Sequence, residues 1–196
     1  KTIHLPKKMK PFSSYTKSGE LPFLDLVNPN ISFDFLGGMF LAVFRRDNWM
    51  KNKHILNEDA INDMRTFSHF DNTFPHVKIF SKAFANSTAY FNARPLSVCL
   101  TGAREWSPMQ PLVMSVRLVE ALELYRKNGL SYINYLRCKN YALNNFIPDI
   151  GSMLYYKNTG ITYINPLKLI LKNFLFPNFY LSLINFIVRK VKIIIK

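Results

Sequence analysis

Apolar residues recur along this chain in distinct rhythms, and each rhythm predicts a different element. Over residues 107–130, SPMQPLVMSVRLVEALELYRKNGL, the positions Leu112, Val116, Val119, Leu122 and Leu124 fall near the 3.6-residue spacing of a helix. Gly129 stands where the helix needs a residue tolerant of a left-handed turn, so the helix is expected to end there. Further helices are predicted over about 72–85 and 131–144. Ile31–Phe35 instead alternates apolar and polar residues as a half-buried strand does. Met39–Phe44, following Gly37 and Gly38, is a continuous apolar run that reads as a buried strand. Residues 87–100, STAYFNARPLSVCL, have the aromatic and β-branched content of a strand pair broken at Pro95.

The two ends of the chain follow neither rhythm. Four lysines in the first ten positions, prolines at 6, 11, 22 and 29 and the Ser18-Gly19 pair predict a linker or surface loop over 1–30. The last 31 residues, PLKLILKNFLFPNFYLSLINFIVRKVKIIIK, are apolar and basic together. From Asn173 to Val188 sixteen residues carry no charge, but Pro177 divides them and three asparagines interrupt them. A spanning helix needs about 20 apolar residues. The prediction is a pair of amphipathic helices lying in the plane of a membrane surface, with Lys and Arg placed for lipid phosphates. The organisation expected is therefore 1–30, a central domain over 31–150, and a basic helical tail over 151–196.

Charge sharpens that division. The 196 residues hold 26 Lys and Arg against 12 Asp and Glu, a formal net charge of +14, with 48% hydrophobic and 19% charged residues. Such a composition excludes a disordered tail and a coiled coil, and the length suffices for a buried core. Asp149 is the last acid, whereas seven basic residues follow it (Lys157, Lys168, Lys172, Arg189, Lys190, Lys192 and Lys196). An acid-free basic segment calls for an anionic partner. Nucleic acid is one candidate, but the densest basic cluster sits in the most apolar segment and no nucleic-acid module signature occurs, which argues against it. Cys99 and Cys138 form no CxxC pair and fit a reduced cytosolic compartment as core thiols. Lys1 opens the chain with no signal-peptide pattern, and a longer parent protein is expected.

The candidate chemistry centres on FSHFDNTFPHVKIF, residues 67–80. Asp71 precedes an apolar-periodic helix and is flanked by His69, Thr73 and His76, so one turn offers a carboxylate, two imidazoles and a hydroxyl. Helix capping explains an Asp at such a place, and a carboxylate at a helix start beside a sugar hydroxyl would also make a general base. His69 and His76 are seven apart, which is not helical metal-ligand spacing, so the chain itself is expected to hold no metal. P-loop, GxGxxG, GxSxG and HExxH signatures are absent from it.

The order FLGGMFLAVFRRDNW, an acidic stretch, HFDNTFPHVKIF and then YFNARPLSV resembles the C-terminal half of bacterial GT-A glycosyltransferases of family 2. Within that family it is most similar to the abequosyltransferase-like enzymes of O-antigen and capsule loci. The resemblance covers residues 31 to about 110. It implies an α/β fold, the C-terminal part of a Rossmann-like GT-A domain, with a small mixed sheet, packed helices and the amphipathic tail. It also implies inverting transfer of a sugar from a nucleotide-sugar donor to a lipid-linked or surface glycan acceptor, in capsule, O-antigen or lipooligosaccharide synthesis. Gly37, Gly38, Arg45 and Arg46 fall in its donor-side element. Asp71 takes the position of the general base, with Glu58 and Asp59 as alternates ranked lower because no helix start was evident after them. His69, Thr73, His76, Arg104 and Trp106 fall on the acceptor side.

The whole enzyme is expected to use a divalent cation, Mg or Mn, held by a DxD motif in a nucleotide-binding half. No DxD occurs in these residues, so that half is expected upstream. The tail implies a peripheral place on the anionic inner face of the cell membrane. Two alternatives stand beside this reading: a non-catalytic membrane-surface remnant or interaction protein, and a nucleic-acid-binding protein.

Overall fold

A helical spine running from Ser107 to Lys127 carries both halves of the hydrophobic core. It belongs to a computed structural model that describes residues 13–32, 42–94 and 106–194, with side chains to residue 188. Within these residues the fold is mixed α/β and mostly helical. The elements are β1 (Gly19–Pro22), α1 (Pro29–Ser32), α2 (Arg46–Asn52), α3 (Glu58–Ile61), α4 (Phe70–Thr73), α5 (Pro75–Ala83), β2 (Thr88–Phe91), α6 (Gln110–Leu112), α7 (Leu118–Lys127), α8 (Tyr132–Ala142), α9 (Phe146–Tyr155), α10 (Pro166–Asn173) and α11 (Pro177–Ile194). Short 3-10 turns link several of them.

The spine serves two cores because its helical register changes along its length. A π-helical stretch, Val113–Arg117, separates α6 from α7. One face, with Val113, Leu118, Leu122 and Tyr125, packs with Phe23, Val27, Val77, Ile79 and Phe80. The other, with Met109, Leu112, Val116 and Val119, packs with Leu143, Phe146, Ile150, Met153 and Phe179. Each fully buried aliphatic side chain there stabilises the fold by about 1.5–3 kcal/mol relative to exposure. Between the cores the π-helical stretch buries Ser115 and Arg117. The Ser115 hydroxyl donates to Asp149 of α9, as does the Asn145 amide at 2.6 Å. Burial pushes the Asp149 carboxyl above the usual carboxylate range, and these two bonds offset part of that shift.

The end of the spine follows the sequence. Leu130 N–H bonds Tyr125 O at 2.9 Å and Gly129 N–H bonds Arg126 O at 3.4 Å, the paired closure in which the residue past the helix end turns left-handed. Gly129 takes φ +113°, which a side chain would strain. The Ser131 hydroxyl then caps α8 by accepting Asn134 N–H at 3.2 Å.

Other expectations change. The predicted helix over about 72–85 is split into α4 and α5 at Phe74. Pro75 disfavours the α region for the residue before it, and Phe74 sits at φ −132°, ψ 53°. Ile31 and Ser32, read as the start of a strand, end α1 instead, and Phe35 lies outside the described residues with Met39. Residues 42–44 form no ladder; Phe44 meets Phe80 edge-on at 4.9 Å and stacks on Trp49 at 5.6 Å. The sheet among the described residues is not mixed: β1 pairs β2 antiparallel, Gly19 opposite Phe91 and Pro22 opposite Thr88. The N-terminal segment expected as a linker thus supplies a strand, and Phe23, Leu26 and Val27 supply core.

The tail is a pair of helices, as its pattern predicts, meeting at 120°. Asn165 caps α10 by accepting Lys168 N–H at 3.0 Å, with Pro166 in the first turn. The second helix is seated on α9: Phe146 meets Phe179 at 5.7 Å, Ile147 N–H bonds Ser182 Oγ at 3.3 Å, and Gly151 faces Phe186. These pairs advance together in number, so α9 and α11 run in the same direction. Among the described residues no single helix is long and apolar enough to cross a membrane.

Candidate functional site

Residues 57–73 fold into a polar loop and two short helices around an open surface concavity of about 490 Å³. Asn57, Asp59, Asn62, Asp63, Arg65 and His69 line it. The Asn57 side chain opens α3 by accepting Ala60 N–H at 3.1 Å, so a helix does start at Glu58, where none was evident in the sequence. Both Glu58 and Asp59 are exposed, and Asp59 faces the concavity.

Asp63 organises the rim. It accepts from Arg65 twice in parallel, Nε at 3.0 Å and Nη2 at 2.6 Å, and from Ser68 Oγ at 2.8 Å; His69 Nε2 lies 3.0 Å away. Hydrogen bonds from Arg65, backed by Ser68, hold the Asp63 carboxyl well below the usual carboxylate range. Arg65 also lies over the Tyr163 ring, 5.6 Å from its centre.

The loop is fastened from behind by Arg117, a buried cation of the π-helical stretch. Its guanidinium donates to Phe67 O at 3.2 Å from each of two nitrogens and to Ser68 O at 2.6 Å, and it pairs with Glu120 at 2.8 Å. Phe67, whose carbonyl is held in this way, adopts φ 58°, uncommon for a bulky residue. Asn72 completes the fastening by donating to Arg65 O at 3.1 Å and Ser68 Oγ at 3.1 Å and accepting His69 N–H at 3.1 Å.

Asp71 does not cap a helix. It lies inside α4, with His69 at the capping position, and its side chain is 8% exposed. One oxygen accepts both Asn57 N–H at 2.7 Å and Lys78 Nζ at 2.6 Å. Asp71 thus ties α5 to the start of α3 and does not line the concavity. Thr73 donates to His69 O at 2.7 Å.

The remaining residues singled out by sequence are dispersed. His76 is buried in the core, edge-on to Phe74 at 5.9 Å and Phe80 at 5.8 Å, rather than facing an acceptor. Trp106 packs edge-on against Phe67 at 5.4 Å. Arg45 and Arg46 are exposed at the start of α2 and do not line the concavity. Gly37, Gly38 and Arg104 lie outside the described residues.

Asp63, Arg65 and Arg117 were not singled out by the sequence. The Asp63–Arg65 spacing carried a signal, since Asp63 accepts Arg65 N–H at 2.9 Å in a local turn. Arg117 carried none, because the loop carbonyls it holds, Phe67 O and Ser68 O, lie about fifty residues away. Among the described residues no group of three His, Cys, Asp or Glu side chains converges to hold a metal ion. The divalent cation implied by the resemblance therefore finds no donor set among the described residues. No known protein family, curated protein or solved structure matches this chain.

Proposed function

We propose that this chain is the acceptor-side part of an inverting sugar transferase acting at an anionic membrane surface, within a GT-A-like whole enzyme. One observation carries the proposal: the acidic stretch and the His-containing turn that bear the resemblance wrap a single open concavity lined by Asp59 and His69. In this reading the acceptor hydroxyl enters the concavity and gives its proton to Asp59, an exposed carboxylate on α3. The acceptor oxygen bonds to the anomeric carbon of the donor as the nucleoside diphosphate leaves with the bonding electrons. Asp71 is then a positioning residue, since its carboxylate holds the Asn57 N–H at the start of α3. The donor is a nucleotide sugar, the acceptor a lipid-linked glycan, and the setting the inner face of the cell membrane.

The test is nucleoside diphosphate release by the full-length protein with a panel of nucleotide sugars and a bacterial membrane extract as acceptor. Asp59→Asn is expected to abolish turnover without loss of stability. Asp71→Asn is expected to lower stability by about 1–2 kcal/mol, because partly buried Lys78 loses its counter-ion, and to reduce turnover only in part. Full turnover in Asp59→Asn, with abolition in a stable Asp71→Asn, would move the base to Asp71. Turnover untouched by both substitutions would take the base role from both carboxylates, and absence of turnover in the unsubstituted protein would remove the transferase reading.

A second reading, a membrane-surface protein without turnover, is favoured by the apolar outer face of α10 and α11. It shares the membrane side of the first reading and separates from it in the same assay.

A further inference from the structure

We propose that the surface meeting an anionic phospholipid bilayer has three parts, α10, α11 and the C-terminal end of α9 with its Leu154-Tyr155-Tyr156 tip. The inference rests on the membrane side of the reading above and extends it beyond the tail. Three observations carry it.

The first is how little of α11 the fold uses. Phe179 and Ser182 are buried and Phe186 half-buried, a stripe spaced by three and four residues that faces α9. Among the side chains described, up to residue 188, Tyr180, Leu181, Leu183, Ile184, Ile187 and Val188 are exposed. An ordinary surface helix has the reverse balance, polar outside and apolar inside. On α10 Leu167 and Leu171 are likewise exposed, and Phe174 and Leu175 continue this face into the bend. Exposed apolar residues gathered on two successive helices mark an interaction site.

The second is register. Phe146 sits beside Phe179, Ile147 beside Ser182 and Gly151 beside Phe186, so the parallel packing carries the end of α9 to the level where α11 passes Val188. There Leu154, Tyr155 and Tyr156 are 64%, 82% and 62% exposed, and the two tyrosine rings meet edge-on at 4.9 Å. Tyrosine concentrates at membrane–water interfaces, where its ring sits at headgroup level and its hydroxyl stays wet. Lys157 follows directly and is exposed.

The third is charge, which selects the occupant. Every residue after Asp149 is neutral or basic, with Lys168 and Lys172 exposed on the same helix as Leu167 and Leu171. Lysines flanking an apolar in-plane helix suit anionic headgroups, each contributing to attraction near the surface.

The experiment measures binding of the full chain to vesicles of 30% phosphatidylglycerol in phosphatidylcholine by flotation, with an environment-sensitive fluorophore on Tyr155→Cys in a Cys99→Ser background. Cys138 stays unlabelled, since it is buried and burial pushes its thiol up to about 12. The expected result is flotation with blue-shifted emission from position 155, and roughly tenfold weaker binding for the unlabelled double substitution Leu154→Glu, Tyr155→Glu. Because both side chains are exposed, that variant should unfold at the wild-type denaturant midpoint. If the chain floats while the probe at 155 stays in water and the Glu variant binds like wild type, the α9 part is overturned and the tail reading survives. If the intact chain fails to float, both fall.

Discussion

Residues 57–78 and residues 166–188 are the two regions where this sequence concentrates unusual chemistry, and the fold treats them in opposite ways. In the first, the polar groups that invite a catalytic interpretation are largely spent on each other. Asp71 is consumed by Lys78 and Asn57, Asp63 by Arg65 and Ser68, and the loop carbonyls by Arg117. In the second, apolar positions far exceed what the body covers, since α11 seats one narrow stripe and leaves the rest in water. A cluster whose groups find partners internally becomes architecture, and in the proposed reading the chemistry falls to the members left facing outward, Asp59 and His69. A face that the body leaves exposed has no architectural use for its apolar area, and in the proposed reading that area meets a membrane surface.

The contrast can be broken from either side. The largest effect is expected at the seat of the tail. Phe146 is fully buried against Phe179, and Phe146→Ala should cost about 4 kcal/mol in urea unfolding and free α11 from α9. An unchanged midpoint would mean that the tail is not held by this contact. Next comes the fastening of the polar loop. Arg117→Met keeps much of the apolar bulk but leaves the Phe67 and Ser68 carbonyls unpaired, and a loss of about 2 kcal/mol is expected. Amide hydrogen exchange should rise over residues 63–69, and exchange at the wild-type rate would show that the loop stands without its buried cation. The smallest effect on stability is expected at Lys172, which meets Glu123 at 3.3 Å while half exposed. Lys172→Ala should change stability by no more than about 0.5 kcal/mol. The same substitution should weaken binding to anionic vesicles by roughly fivefold. Equal binding by both proteins would take Lys172 off the lipid surface.

The parts of the fold legible in sequence are those governed by neighbours in the chain. The spine and its end could be read because Leu112, Val116, Val119 and Leu122 set a helical period and Gly129 a left-handed stop. The division of the tail could be read from Pro177, and its amphipathic character from spacing. Helix α9 carried a weaker signal, since Pro148 and Gly151 both count against a helix interior. Pro148 is tolerated because it falls in the first turn, and Gly151 because Phe186 packs over it. Residues 42–44 form no strand because an apolar run does not say whether a strand partner exists; here Phe44 packs on Phe80 while Val43 is exposed.

The candidate site divides in the same manner. That residues 57–76 gather carboxylates, imidazoles and hydroxyls is a property of the sequence, as is the acid-free tail. Which carboxylate is buried and which faces outward is not, because it depends on Lys78 reaching Asp71 from the next helix and on Arg117 reaching the loop across about fifty residues. Sequence alone determined the helical period of the spine, its glycine stop and the acid-free character of the tail, since these act over a turn or two of chain or are composition. Tertiary structure alone decided the pairing of Asp71, the burial of His76 and the alignment of α9 with α11. Desolvation and long-range partners set those outcomes, and neither is a local quantity.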